Sequence, residues 1–373
     1  MKINDQRKIA LVYDWIDKWG GIERVLLNLH AQFPKADFYT SYFNPKNAPW
    51  AKDFPITPSF MQKLPRFITG SRALSTPLYP FAFESFDFKG YDVVISITSS
   101  FAKSVITRPE TLHVCYLLTP TRFLWHENKS TARFGVFKKL LQPYISYLKR
   151  WDSIVAKRPD KYLVISNAVQ KRLRDIYHLD GEVLYPPFDT KYWSQYKSQN
   201  KRKNRDYYLV VSRLEPYKNV DAVIDAFKRI PDKNIIIIGT GSQEGHLKNI
   251  AGNNCTFVKK ITDAELARYY EHAKALIMIQ EEDFGYTALE AQFFGCPVIA
   301  FAKGGALEIV LDGKTGILLE SNTPQALIEA IEKFEKISYT FENTMDKYTK
   351  THLDQFSPVI FKEKIDQLVS KSL

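Results

Sequence analysis

The chain is a succession of short, unbroken apolar runs. Each is stopped by Gly, Pro or a small polar cluster, and several are followed by apolar residues three and four apart. Lys8–Tyr13, Tyr91–Thr98, Leu112–Leu117, Lys161–Ser166, Tyr207–Val211, Asn234–Gly241, Ala275–Ile279 and Val298–Ala300 are predicted strands. They do not alternate between apolar and polar, so both faces must be covered, as in a parallel sheet. Val25, Leu26, Leu29 and Phe33 set a helical period over Ile22–Phe33, and Thr287–Phe294 reads as a second helix. Asn167 caps a third, and Ile360, Phe361, Ile365, Leu368 and Val369 share one side of a C-terminal helix. Strand, Gly-bearing loop, helix is the unit of a doubly wound α/β domain. Residues 43–90, rich in Pro, Phe and Tyr, have little period and predict an irregular excursion or lid-like helices around Pro65 and Pro77. Ser99-Ser100 is predicted to cap a helix between the second and third strands.

At 373 residues the chain is about twice a typical domain, which predicts two. No run reaches the ~18 apolar residues of a membrane span, and the N-terminus does not read as a signal peptide. Cys115, Cys255 and Cys296 lie far apart, with neither pairing nor metal-site spacing, which fits a reducing cytoplasm. Charge divides the chain. Residues 1–186 carry 27 Lys and Arg against 16 Asp and Glu, while residues 187–373 carry 25 of each. The whole excess of +11 therefore belongs to the N-terminal half.

Glu281–Ala291 (EEDFGYTALEA) is the stretch that most invites chemistry. A strand ending in acids and a Gly, then turning into a helix, aims backbone N–H groups and the positive end of the helix dipole at one point. An anion such as pyrophosphate is the natural guest there. Glu282 and Glu290 stand up to about 12 Å apart along a helix, too far for a glycosidase acid/base pair at about 5–10 Å. They suit instead two sets of hydroxyls flanking one phosphate.

Glu282–Glu290 resembles the E-x7-E motif of the retaining GT-B glycosyltransferases of family 4, with Asp283 in place of the commoner Gly. The resemblance implies two Rossmann-like domains facing across a cleft and a retaining hexosyl transfer from a nucleoside-diphosphate sugar. Glu282 and the amides of Phe284 and Gly285 would hold the donor sugar, with Tyr286 and Thr287 near the phosphates and Glu290 on the ribose. Gly20-Gly21-Ile22-Glu23-Arg24 is similar to the family's N-terminal loop, which approaches the donor phosphate. Ser212–Asn219 (SRLEPYKN) is similar to its G-R-L-x-x-x-K-G pattern. There Arg213 and Lys218 can converge on one leaving pyrophosphate, the arginine as a planar fork and the lysine as a point charge. Lys260 lies in the segment that holds the nucleotide base. Gly304-Gly305 and Gly313–Gly316 resemble later family turns that shape the fold.

Thr119–Trp125 resembles a signature of a subgroup containing mannosyl- and rhamnosyltransferases of bacterial surface-polysaccharide assembly. Thr119, Arg122, Trp125 and His126 are thereby candidates for the acceptor side. Leu118 stands where that subgroup often has His, a contact near the sugar 6-hydroxyl, so a 6-deoxy donor is one expectation. The implied domains are 1–185, 186–355 and a helix, 356–373, crossing back to the first. No Asp-x-Asp triplet occurs, and neither a metal nor another cofactor is expected.

Between Arg122 and Arg150 seven basic residues face one acid, Glu127, interleaved with apolar and aromatic positions. That pattern describes an interfacial helix pair on anionic lipid, which Lys63, Arg66 and Arg72 near Phe60 and Phe67 would extend. An amphipathic helix packed on the sheet fits it equally. No recognised nucleic-acid-binding motif accompanies it. The expected enzyme is a peripheral one at the inner face of the cell membrane, moving mannose or a 6-deoxy hexose from a GDP-linked donor to a lipid-linked glycan. A nucleotide-sugar epimerase of the same fold and a nucleotide-binding protein without turnover are the alternatives. A dinucleotide-dependent oxidoreductase is disfavoured, because the first strand lacks G-x-G-x-x-G.

Overall fold

The computed structural model describes residues 7–125, 135–198 and 205–370, with side chains except those at 135–141, 339, 340, 342–344 and 346. It divides into two compact units, residues 1–187 with 358–373 and residues 188–357. Each is built on an all-parallel sheet.

In the first unit the strands are β1 (Ile9–Tyr13), β2 (Asp37–Thr40), β3 (Ile56–Pro58), β4 (Val93–Thr98), β5 (Leu112–Leu117), β6 (Lys161–Val164) and β7 (Glu182–Val183), in the order β3-β2-β1-β4-β5-β6-β7. The central register sets Leu11 beside Ile95 and Ile95 beside Val114. β1 and β4 are buried along their whole length, which is why they read as continuous apolar runs. Helix Glu23–Gln32 turns Val25, Leu26 and Leu29 inward, as its period predicts. β7 stops at Val183, and Pro186 and Pro187 beyond it have no N–H to extend the ladder.

No α-helix joins β4 to β5. A single 3-10 turn, Ala102–Ser104, stands there, and Val105 in extended conformation ends it. The amides expected to be capped by Ser99 and Ser100 are taken instead by Asp14, from the loop after β1. Its carboxylate is buried and accepts from Thr98 Oγ1 and the amides of Ser99, Phe101 and Ala102, each at 2.8 Å. Charge-assisted bonds of this kind tie the ends of two neighbouring strands together.

Residues 43–90 fold as β3, 3-10 turns and the short helices Arg66–Thr69, Arg72–Ser75 and Tyr79–Glu84. They hold to the sheet through rings, with Tyr79 stacked on Phe101 at 4.8 Å and Tyr39 edge-on to Phe88 at 5.0 Å. The basic stretch gives a short helix, Arg122–Trp125, and a long one, Gly135–Val155. Leu148, Asp152 and Val155 face inward while Tyr147 and Ile154 are exposed. His126, Lys129, Arg133 and Phe134 lie outside the described residues, as do the side chains of Val136, Phe137, Lys138, Lys139, Leu140 and Leu141.

The second unit has β8 (Tyr207–Val211), β9 (Asn234–Ile238), β10 (Cys255–Val258), β11 (Ala273–Met278), β12 (Val298–Phe301) and β13 (Gly316–Leu319), ordered β10-β9-β8-β11-β12-β13. Helix Val220–Arg229 buries Val223, Ile224 and Phe227 against the sheet, with Phe227 edge-on to Tyr208 at 5.5 Å. Each such side chain contributes roughly 1.5–3 kcal/mol. A thirty-residue helix, Pro324–Leu353, completes that face; Thr323 caps it, and Pro324 supplies the preset φ of a first turn.

Candidate functional site

In both sheets the strand order reverses once, between β1 and β4 and between β8 and β11. At such a point the loops leaving adjacent strand ends run to opposite faces and open a crevice at the carboxyl edge. In the second unit these loops are Ser212–Asn219 and Ile279–Gly285, which carry the strongest candidates of the sequence.

The two loops meet through one ion pair. The Lys218 ammonium, on a 3-10 turn begun by Pro216, donates to Glu282 Oε1, and the two side chains are only 10% and 18% exposed. Gln280 Nε2 donates to the same oxygen at 2.8 Å. Asn219 follows in the left-handed region at φ 57° and starts the next helix. The family pattern has Gly there; Asn is the residue that tolerates this conformation next best. Arg213 is exposed and donates to the Tyr217 hydroxyl at 2.6 Å. The Tyr217 ring also lies 5.9 Å from the Arg213 guanidinium carbon and 5.2 Å from Lys218 Nζ. Tyr217 links both cations and was not singled out in the sequence, although an aromatic between two cations on a Pro turn was a usable signal.

Gly304 and Gly305 fix the height of the acidic loop. The Gly305 amide donates to the Glu282 carbonyl at 2.8 Å. A Cβ on Gly304 would stand 2.0 Å from that carbonyl oxygen, and one on Gly305 2.0 Å from the Phe284 carbonyl. Gly305→Ala must therefore push the backbone of Glu282–Phe284 away. We expect it to destabilise the protein by about 1–3 kcal/mol. Its nucleotide-induced thermal shift should fall as well, whereas an unchanged shift would show that loop position is immaterial. Gly285, at φ +111°, then starts helix Tyr286–Phe293, which turns its first N–H groups, those of Tyr286 and Thr287 among them, outward. Phe284 is buried, 5.2 Å from the Tyr286 ring and 5.7 Å from that of Phe356.

Glu290 is not an exposed helix position. It is 6% exposed, and the Tyr270 hydroxyl donates to its Oε2 at 3.0 Å. Lys260 is exposed, at φ 56°, beyond β10. Neither has a described contact with the Lys218–Glu282 pair. Among the described residues no three His, Cys, Asp or Glu side chains are grouped to hold a metal ion.

In the first unit Gly20 and Gly21 lie in the loop after β1. Glu23 opens the following helix and is 4% exposed; its Oε2 has no hydrogen-bond partner. Burial pushes this carboxyl up to about 7, against the opposing pull of the Glu23 and Gly20 amides. Leu118 is buried at the end of β5, its amide bonded to the Thr98 carbonyl at 2.8 Å. Thr119 is buried with an unpartnered Oγ1, and Arg122 opens the short helix. Trp125, read as an acceptor-side residue, uses its indole N–H internally, donating to Asp152 Oδ2 at 2.7 Å. Asp152 also takes the Tyr177 hydroxyl at 2.5 Å and Thr121 Oγ1 at 2.8 Å, and it pairs with the Lys103 ammonium at 2.6 Å. Lys103 and Asp152 are fully buried. The Thr119–Trp125 signature is thus pinned from beneath by two charges that the sequence reading did not single out.

Two parallel-sheet Rossmann-like units define the GT-B class of α/β fold. Residues 192–352, within the second unit, match the family model described as "Glycosyl transferases group 1". The chain is 25% identical over 276 residues to human alpha-1,3/1,6-mannosyltransferase ALG2, a match covering 65% of each protein. It is 31% identical over 145 residues to the GDP-mannose-dependent alpha-(1-6)-phosphatidylinositol monomannoside mannosyltransferase of Mycolicibacterium smegmatis, covering 34% of this chain and 38% of that one. The matches thus span less than two thirds of the length of each of these relatives. Among solved structures, Anabaena HepE in complex with UDP superposes with a TM-score of 0.73 at 18% identity, over 98% of this chain and 100% of that one.

Proposed function

We propose that this protein is a retaining hexosyltransferase that moves mannose or a 6-deoxy hexose from a GDP-linked donor to a lipid-linked glycan, forming an α linkage. The observation that carries the proposal is the Lys218–Glu282 pair, largely withdrawn from solvent where the strand order of the second sheet reverses. Before a ligand arrives each charge satisfies the other. A nucleoside-diphosphate sugar offers both a better partner: phosphate oxygens for the ammonium, and hydroxyls for the carboxylate. Arg213, which Tyr217 holds, and the start of helix Tyr286–Phe293 extend the positive side of this arrangement, in the role a metal ion would otherwise fill. In the front-face course that the resemblance implies for a retaining transfer, the departing phosphate oxygen takes the acceptor proton. The similarity to two mannosyltransferases supports the donor; the buried, apolar Leu118 supports tolerance of a 6-deoxy sugar.

The test is a panel of GDP-, UDP-, dTDP- and ADP-sugars that includes both GDP-mannose and GDP-rhamnose, scored for thermal stabilisation and slow donor hydrolysis. GDP-sugars should give the largest shift. Stabilisation by none of them would end the transferase reading, and release of an epimerised sugar without acceptor would replace it.

Docking on the inner membrane face is supported by the basic excess of the N-terminal half and by exposed Phe60, Phe67, Phe81, Phe123 and Tyr147. Arg72 does not belong to that surface, since it pairs with Asp17 and lies 3.9 Å over the Trp15 ring. Among the described residues no helix is long and apolar enough to cross a membrane. Flotation with anionic vesicles, but not neutral ones, is the expected behaviour; equal partitioning would remove this part of the proposal.

A further inference from the structure

The acidic loop of the second unit is fixed twice, once through its backbone and once through a side chain outside every motif of the sequence. Glu282 bridges Gly304, and the Gly305 amide holds its carbonyl, which together set the position of its backbone. Its side chain is held by two donors, and both fall on one oxygen. Lys218 Nζ and Gln280 Nε2, the latter at 2.8 Å, donate to Oε1. Oε2 is thereby the oxygen presented to a ligand. Gln280 stands two residues beyond the end of β11 and is buried. Of the two groups on its amide only the NH2 can meet a carboxylate, since a carbonyl oxygen in that place would repel it.

The two donors are not equivalent. When a diphosphate enters, the ammonium gains a stronger partner in the phosphate oxygens and moves off Oε1 on its flexible stem. The Gln280 amide is neutral, so a phosphate draws it far less, and it stays on the carboxylate. We propose that Gln280 is the positioning residue of the donor site, keeping the Glu282 carboxylate turned towards the donor sugar after Lys218 has gone to the phosphates. A cation in its place would pair with Glu282 and weaken it as an acceptor for hydroxyls. An apolar residue would let the carboxylate swing, and the sugar would have to order it at the cost of its rotamer freedom. This role rests on the reading of Glu282 as a contact of the donor sugar; Gln280 acts through that carboxylate and not on the substrate itself.

The test compares the full parent chain with Gln280→Met, Glu282→Ala and the double variant. Calorimetry gives Kd for GDP and GDP-mannose, and for UDP and UDP-glucose, so that each ratio reports what the sugar adds to the bare nucleotide. Gln280→Met keeps the length of the side chain but cannot donate. In it the sugar's contribution should fall about fivefold, while Kd for the nucleotide stays within about twofold of the parent. In the Glu282→Ala background the same substitution should leave the ratio as it is. Gln280→Leu, equally unable to donate, replaces the methionine variant should that one fail to fold. Equal weakening of nucleotide and nucleotide sugar, an unchanged ratio, or an undiminished loss in the Glu282→Ala background would overturn the role and leave the donor site standing. A ratio that Glu282→Ala does not lower would take Glu282 off the sugar, and failure of both nucleotides to bind the parent would end the donor reading; either result removes the role of Gln280 with it.

Discussion

Lys218→Ala should lower kcat/KM with the preferred nucleotide sugar by about 10²–10³, the range seen when one group stabilising a departing anion is removed. The argument is local. Lys218 is the buried cation at the reversal point of the second sheet, its side chain is 10% exposed, and it touches the carboxylate offered to the sugar. Removing it also strands Glu282, whose other described side-chain donor is Gln280. A stability loss of about 1–3 kcal/mol should accompany the loss of rate. Lys218→Arg keeps the charge but replaces a compact ammonium with a planar fork that does not fit the same pocket, so only part of the activity should return. Steady-state kinetics and a urea titration on all three proteins separate the two effects. Turnover within a few-fold of the parent in Lys218→Ala would move the leaving-group site elsewhere.

The second large effect is structural. Asp152→Ala leaves the fully buried Lys103 ammonium without a counter-charge, held only by the neutral Ser100 carbonyl and Thr121 Oγ1, and deprives Trp125 and Tyr177 of the acceptor they share. Breaking one side of a buried pair costs about 3–5 kcal/mol. Lys103→Met combined with Asp152→Leu removes both charges and should recover much of that loss, because no ion is left in a dry site. Chemical denaturation of Lys103→Met, Asp152→Leu and the double completes the cycle. Additive losses would mean that the pair is not coupled, and the pinning role assigned to it would fall.

These two sites differ in how far they could be read beforehand. The strands at both reversal points were legible because burial on both faces leaves no alternation to confuse, as in β1 and β8. Lys218 and Glu282 were each found from their own loops, yet their pairing across 64 positions was not, since only the parallel register of β8 and β11 brings those loops together. Asp152 escaped for a different reason. The basic stretch was weighed as a charge run ending at Arg150, and the acid that organises it stands two residues further on. The helices between Arg66 and Glu84 are four to six residues long, too short for any period to show. Helix Pro324–Leu353 carries a signal of its own that was not used: a Thr-Pro start and Leu327, Ile328, Ile331 and Phe334 at helical spacing. Asp14 was not legible either, because nothing local reveals that its hydrogen-bond donors come from residues 98–102.

Asn219 bears on how such chains are searched for. A pattern written with an obligatory glycine after the lysine would pass over this protein. Yet what the turn requires is a handedness, φ 57° at the point where a 3-10 turn gives way to an α-helix. Glycine meets that requirement freely and asparagine at a small cost, whereas a β-branched residue does not meet it at all. Screening by the backbone angle a position must adopt, rather than by the letter usually found there, would gather divergent members that letter-based signatures discard.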